Sequence, residues 1–340
     1  MNADQTPPSR RTSRRRFLQT AGAGLVLAGT PSLARATESQ VVFFDDFTSA
    51  ATIDVGATDA PGYNWYPRKW FRTTATRPEN ISVSDSVLTL GGNGGESDLT
   101  RLSTAIAVDT SPYARGTVFH GGYFEARIAF DHAERPPTAG ANPAFWSMAI
   151  EHVAHQYVGT FYTQWPGQAA GYSHYIELDF MEHFSDPRQS YVCTVHDWSG
   201  PYATPPGSDD DPFWWYDIAN GNNIVQVGPV DWSEFHTYSC YWAPQNGSTP
   251  GHVQWFFDGL AGPTTNVYWA GPIGAPPLPG QAPEPGTPAH TSFTPDTPAE
   301  ADRTFAILDQ QRIALTLTTD PGFPMYVDWV RVSDSTVEVL

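Results

Sequence analysis

Hydrophobic and polar positions alternate with a period of two along much of this chain. In Gly122–Phe130 the residues Phe124, Ala126, Ile128 and Phe130 fall on one face, and Tyr123, Glu125 and Arg127 fall on the other. That alternation predicts a half-buried β-strand. The same reading fits Val253–Asp258, Arg312–Thr318 and Tyr326–Val332, while no segment sustains a helical period and no internal repeat is detectable. The pattern predicts an all-β protein, a sandwich or a barrel. Between the strands lie long aromatic loops at 151–175 and 199–230, and a proline-dense loop insertion at 271–303. The two or three strands after residue 303 are too few to build a core of their own, so they must return to the main sheets.

Composition adds bounds to this picture. The 340 residues include 31 Pro, 29 Gly, 12 Trp, 15 Tyr and 19 Phe, too apolar and aromatic for a disordered polymer. The formal charge of −18 disfavours nucleic acid and anionic lipid, whose binding begins with Lys and Arg neutralising phosphate. The first 36 residues read as a removable address. Ser13-Arg14-Arg15-Arg16-Phe17-Leu18 resembles a twin-arginine export signal, and it is followed by a short apolar run and by Ala34-Arg35-Ala36, a small-x-small cleavage site. The apolar run is about half of the ~20 residues a membrane span needs. The expectation is a periplasmic or extracellular protein without a membrane partner after cleavage, monomeric, whose single domain occupies residues 37–340. Cleavage removes six Arg and one Asp, leaving a charge of −23. Cys193 and Cys240 could form one bridge, but each sits in an apolar strand-like run, which favours buried thiols.

The sharpest chemistry lies in Tyr175-Ile-Glu-Leu-Asp-Phe-Met-Glu-His-Phe184. Alternation puts Glu177 and Asp179 on one face, opposite Ile176, Leu178 and Phe180, but gives Glu182 the wrong parity. A β-bulge at Phe180–Met181 would keep both apolar side chains inward and return Glu182 to the acidic face. With 36 acids in 340 positions, Glu-x-Asp-x-x-Glu is expected by chance only about 0.03 times. Three carboxylates on one strand cannot all ionise cheaply, so at least one pKa must rise. Glycoside hydrolysis needs that split: one carboxylate as nucleophile and one protonated carboxyl for the leaving oxygen. Carboxyls about 5–5.5 Å apart would serve a retaining mechanism.

This segment resembles the catalytic strand of glycoside hydrolase family 16 in its bulged form. The resemblance extends through Asp45-Asp46-Phe47, Gly122–Arg127, Pro143-Ala-Phe-Trp146, Phe235–Tyr238 with Trp242, Phe257-Asp-Gly259 and Val327–Val332, in the family's order. It implies a β-jelly-roll sandwich of two antiparallel sheets with a concave substrate cleft. It also implies Glu177 as nucleophile, Asp179 as its assistant and Glu182 as general acid/base. The chain departs from the family upstream, where ten residues separate Trp165-Pro166 from Glu177 instead of a short turn.

Aromatic rings in a cleft offer stacking area to the apolar faces of sugars. Alternation places Thr194, His196 and Trp198 together, opposite Cys193 and Val195, and His196 and Trp198 are assigned to the cleft. Trp146 resembles the family's cleft tryptophan, although its apolar run suits a core position equally. Trp165, Trp214 and Trp215 are loop candidates for substrate binding. No cofactor is required for the chemistry, and His152, His155, His174 and His183 match no zinc template. The resemblance implies a structural Ca²⁺ with Asp328 as one ligand. No Gly-x-Ser-x-Gly elbow supports a serine hydrolase. The expected activity is endo-acting hydrolysis of a polysaccharide, a β-1,3- or mixed-linkage β-glucan first. The alternatives are a transglycosylase, a hydrolase of agar- or carrageenan-type galactan, and a lectin-like sandwich without catalysis.

Overall fold

The computed structural model describes residues 39–68, 75–91, 100–108, 114–134, 143–150, 172–183, 190–201, 216–217, 223–244, 251–267 and 311–340. The leader at 1–36, the proline-rich loop at 271–303 and the loop residues His152, His155, Trp165, Trp214 and Trp215 lie outside them.

Eighteen strands are formed among the described residues. The first nine are β1 (Val41–Asp45), β2 (Ile81–Ser84), β3 (Val87–Leu90), β4 (Thr100–Ser103), β5 (Ala105–Ala107), β6 (Ala114–His120), β7 (Gly122–Ala129), β8 (Ala144–Ala149) and β9 (Tyr172–Glu182). The rest are β10 (Ser190–Pro201), β11 (Tyr216–Asp217), β12 (Asn223–Gln226), β13 (His236–Ala243), β14 (Gly251–Phe257), β15 (Leu260–Val267), β16 (Ile313–Thr319), β17 (Met325–Ser333) and β18 (Thr336–Val339). The four strands read from alternation are β7, β14, β16 and β17, displaced by at most two residues at either end. The region 199–230 is not wholly loop: β11 and β12 fall within it and pair with β10. Short two- to four-residue strands carry too little periodic pattern to stand out from a loop.

The strands make two antiparallel sheets. One runs β15-β14-β13-β7-β17-β3-β2, with β1 also on β17; the other runs β11-β10-β9-β8-β16-β6-β18, with β12, β4 and β5 paired at its sides. The last three strands do return to the main sheets. β16 sits beside β8, and β17 sits beside β7.

The core lies between the sheets, as the parity of β7 requires: Phe124, Ala126 and Ile128 are fully buried. Phe124 of one sheet stacks on Phe180 of the other with ring centroids 5.3 Å apart. Burying such side chains stabilises the fold by roughly 1.5–3 kcal/mol each. Cys193 and Cys240 are buried thiols in this core, not joined in a disulfide, as their strand-like settings suggested.

Candidate active site

The acidic segment forms β9, between β8 and β10. On the β8 side, Phe145 pairs with Met181 and Trp146 pairs with Asp179, so Phe180 is one residue too many. On the β10 side, Val192 pairs with Glu182 and Thr194 with Asp179, so Phe180 and Met181 together face Cys193. This is a β-bulge at the position parity demanded. Glu182 and Asp179 sit opposite Val192 and Thr194, two residues apart on one strand and therefore on one face. Glu177 pairs with His196 on the same face.

The bulge resolves a conflict written into the sequence. A regular strand would turn Met181 out and Glu182 into the core, where an unpaired carboxylate costs several kcal/mol. With one extra residue, Phe180 and Met181 are both fully buried, and Glu182 stays on the polar face. The carbonyl of Asp179 beside the bulge accepts a 2.9 Å hydrogen bond from Trp255 Nε1, on β14 of the opposite sheet. Neighbouring groups are held too: Ser147 Oγ donates to the Leu178 carbonyl, and the Ile176 N–H donates to Gln311 Oε1.

The environments of the carboxyls differ. Asp179 is only 2 % exposed, and its Oδ2 lies 2.8 Å from His196 Nε2. Glu182 is raised from 4.5 to about 8, chiefly by burial and further by the negative charge of Asp179, with His196 acting in the opposite sense. A Glu182 that holds its proton to about 8 supplies the acid that acid-assisted displacement requires.

Among the described residues, Glu177, Asp179 and His196 form the one group of three whose donor atoms converge, within 4.8 Å. A tetrahedral metal with ligands near 2.1 Å would hold its donor atoms roughly 3.4 Å apart. The 2.8 Å contact between His196 and Asp179 is shorter than that spacing and is a direct pairing of the two side chains. Asp328, the residue that the resemblance gives to a structural calcium, lies on β17. Its carboxylate is paired with the Arg127 guanidinium of β7.

Trp146 pairs with Asp179 and so belongs to the carboxylate face. It is nevertheless only 9 % exposed, and its indole donates to Thr318 Oγ1. The two sequence readings of Trp146 therefore combine: it is buried, within the floor beside the carboxylates. His196 pairs with Glu177 and touches Asp179, beside the carboxylates. Trp198 lies on β10 opposite Tyr175, and nothing is described of its side chain. His183 turns inward beneath the site, fully buried among Phe130 and Trp232 at 4.4 and 4.3 Å.

Sequence reasoning missed the continuation of this floor. Thr316 pairs with Trp146 and Ser103, and Thr318 with Ala144 and Arg101, extending the polar face across β16 to β4. The threonines alternate with Leu315 and Leu317, a signal available in the sequence. Trp255 had none, because its partner lies 76 residues away on the other sheet.

No protein-family model matches the chain, and no curated protein matches it. Among solved structures it is similar to endo-1,3-beta-glucanase from Streptomyces sioyaensis, at 19 % identity over 91 % of this chain and 100 % of that one, with a TM-score of 0.44. It is also similar to a LamA variant from Z. galactanivorans in complex with laminaritriose and laminaritetraose (15 %, 87 % and 99 %, TM-score 0.42). A third is the laminarinase catalytic domain from Thermotoga maritima (16 %, 87 % and 98 %, TM-score 0.42).

Proposed function

We propose that this protein is a retaining, endo-acting glycoside hydrolase of β-linked polysaccharide, with β-1,3- or β-1,3-1,4-glucan as substrate. The observation that carries the reading is the bulge that sets Glu177, Asp179 and Glu182 on one face, with Glu182 raised to about 8 by burial and by Asp179.

Glu177 then attacks the anomeric carbon while the Glu182 proton passes to the departing glycosidic oxygen, breaking the C–O bond and leaving a glycosyl ester on Glu177. Glu182, now a carboxylate, takes a proton from water as the water oxygen attacks the same carbon. The sugar leaves, Glu177 is freed and Glu182 is reprotonated. The double displacement retains anomeric configuration. Asp179, in contact with His196, acts on Glu182 in the sense that favours its protonated form. Trp146, His196 and Trp198 are the substrate-contact residues of this reading, and Trp165 and Trp215 are added as loop platforms. Residues 1–36 would direct export by the twin-arginine route.

The test is incubation of protein lacking residues 1–36 with laminarin, mixed-linkage glucan, agar and carrageenan, with the released oligosaccharides sized and their first-formed anomer read by NMR. Oligosaccharides of retained configuration from a β-glucan are expected. Products longer than the substrate mark transglycosylation, and release from the galactans alone moves the substrate class. No release from any of them, with Glu177→Gln and Glu182→Gln still binding glycan like the parent protein, overturns the catalytic reading in favour of a lectin-like one.

A further inference from the structure

A β-bulge is a point of weakness as well as a device. It leaves backbone groups without their ladder partners, and in a dry core each such group must find another. Here the carbonyl of Asp179 is met from across the sandwich by the indole N–H of Trp255, at 2.9 Å. Trp255 is itself fully buried, on a strand of the other sheet that makes no backbone pairing with β9. Because the side chain is rigid and its single donor is committed, the bond ties the bulge to the opposite sheet, not merely to its neighbours. The bulge in turn determines which face Glu182 occupies, since Phe180 and Met181 both take core positions only while it persists.

We propose that Trp255 is a positioning residue for the carboxylate face: by holding the Asp179 carbonyl, it keeps the bulge closed and so maintains Glu182 beside Glu177 and Asp179. The inference rests on the hydrolase reading for its kinetic consequences. Its structural consequence, the setting of Glu182, does not depend on that reading. Trp255 touches no substrate. With the N–H removed, the bulge is free to open toward water, Glu182 becomes better hydrated, and the geometry between acid and nucleophile loosens.

The test is Trp255→Phe, which keeps an aromatic ring and removes the donor. Its control is Trp242→Phe, because Trp242 is equally buried and its Nε1 has no hydrogen-bond partner among the described residues. For Trp255→Phe, kcat is expected to fall about 10- to 100-fold with KM within about threefold, the scale on which small misplacements of reacting groups act. The titration of Glu182, followed by ¹³C NMR and assigned with Glu182→Gln, should move down from about 8 by about one pH unit or more as its burial is relieved. Trp242→Phe should leave both unchanged. An unmoved Glu182 titration in folded Trp255→Phe, or equal effects in both variants, overturns the proposal. If the parent protein cleaves no glycan, the hydrolase reading fails and the titration still decides the role of Trp255. Should Trp255→Phe not fold, native-state hydrogen exchange on the parent protein takes its place. The Trp255 indole proton and the Phe180 and Met181 amides should open together, within about threefold in rate; independent, faster exchange of the indole overturns the proposal.

Discussion

Replacing Glu182 by Gln should stabilise the protein, and the gain should grow with pH. In the folded state Glu182 is raised from 4.5 to about 8, first by burial and then by Asp179. In the unfolded chain it loses its proton near 4.5. Below that value both states hold the proton and the group contributes nothing to the difference. Between 4.5 and 8 the native state binds more protons than the unfolded one, so stability falls as pH rises. Each pH unit in that window is worth about 1.4 kcal/mol, which places the penalty near 3 kcal/mol at pH 7 and sets a ceiling of about 5 kcal/mol above pH 8. Glutamine has no proton to lose and escapes it. The assay is urea unfolding of both proteins from pH 4 to pH 8.5, with the difference in free energy plotted against pH. The curves should coincide near pH 4 and diverge through neutrality, with turnover lost in the variant at every pH. A difference that stays constant across this range would refute the claim that burial holds this carboxyl protonated.

His183 carries the opposite sign. Burial first, and then the charges of His132 and His236, hold it well below its usual 6.5; stability should therefore fall below pH 6.5 by about 1.4 kcal/mol per unit, and His183→Phe should flatten that limb in thermal melts. His196 draws the Glu182 titration down, so His196→Gln should move the alkaline limb of kcat/KM to higher pH while lowering kcat about tenfold; an unmoved limb would separate His196 from the acid. On the other sheet, Arg331 Nε lies 2.6 Å from Glu125 Oε2, and that carboxylate is only 6 % exposed. Arg331→Met should cost about 2 kcal/mol at pH 8 by stranding a charge. The loss should shrink in acid, where Glu125, raised by burial, takes a proton, and Glu125→Gln in the same chain should restore most of it in denaturant unfolding.

The periods of β7, β14, β16 and β17, the faces of β7 and β9 and even the bulge were legible in the sequence. Each follows from parity alone: Ile176, Leu178, Phe180 and Met181 cannot all be buried, with Glu177, Asp179 and Glu182 on one face, unless one residue is inserted. The inward setting of Cys193 and Cys240 follows from the same alternation. What parity could not supply is which strands become neighbours, since a period of two says nothing about partners. That choice belongs to the packed sheets. It brought His196 to Asp179 from β10, spread the polar floor through Thr316 and Ser103, turned the Trp146 indole to Thr318 and gave Asp328 to Arg127. It also decided the protonation of Glu182. A carboxylate's pKa depends on burial and on nearby charge, and only the tertiary structure sets either.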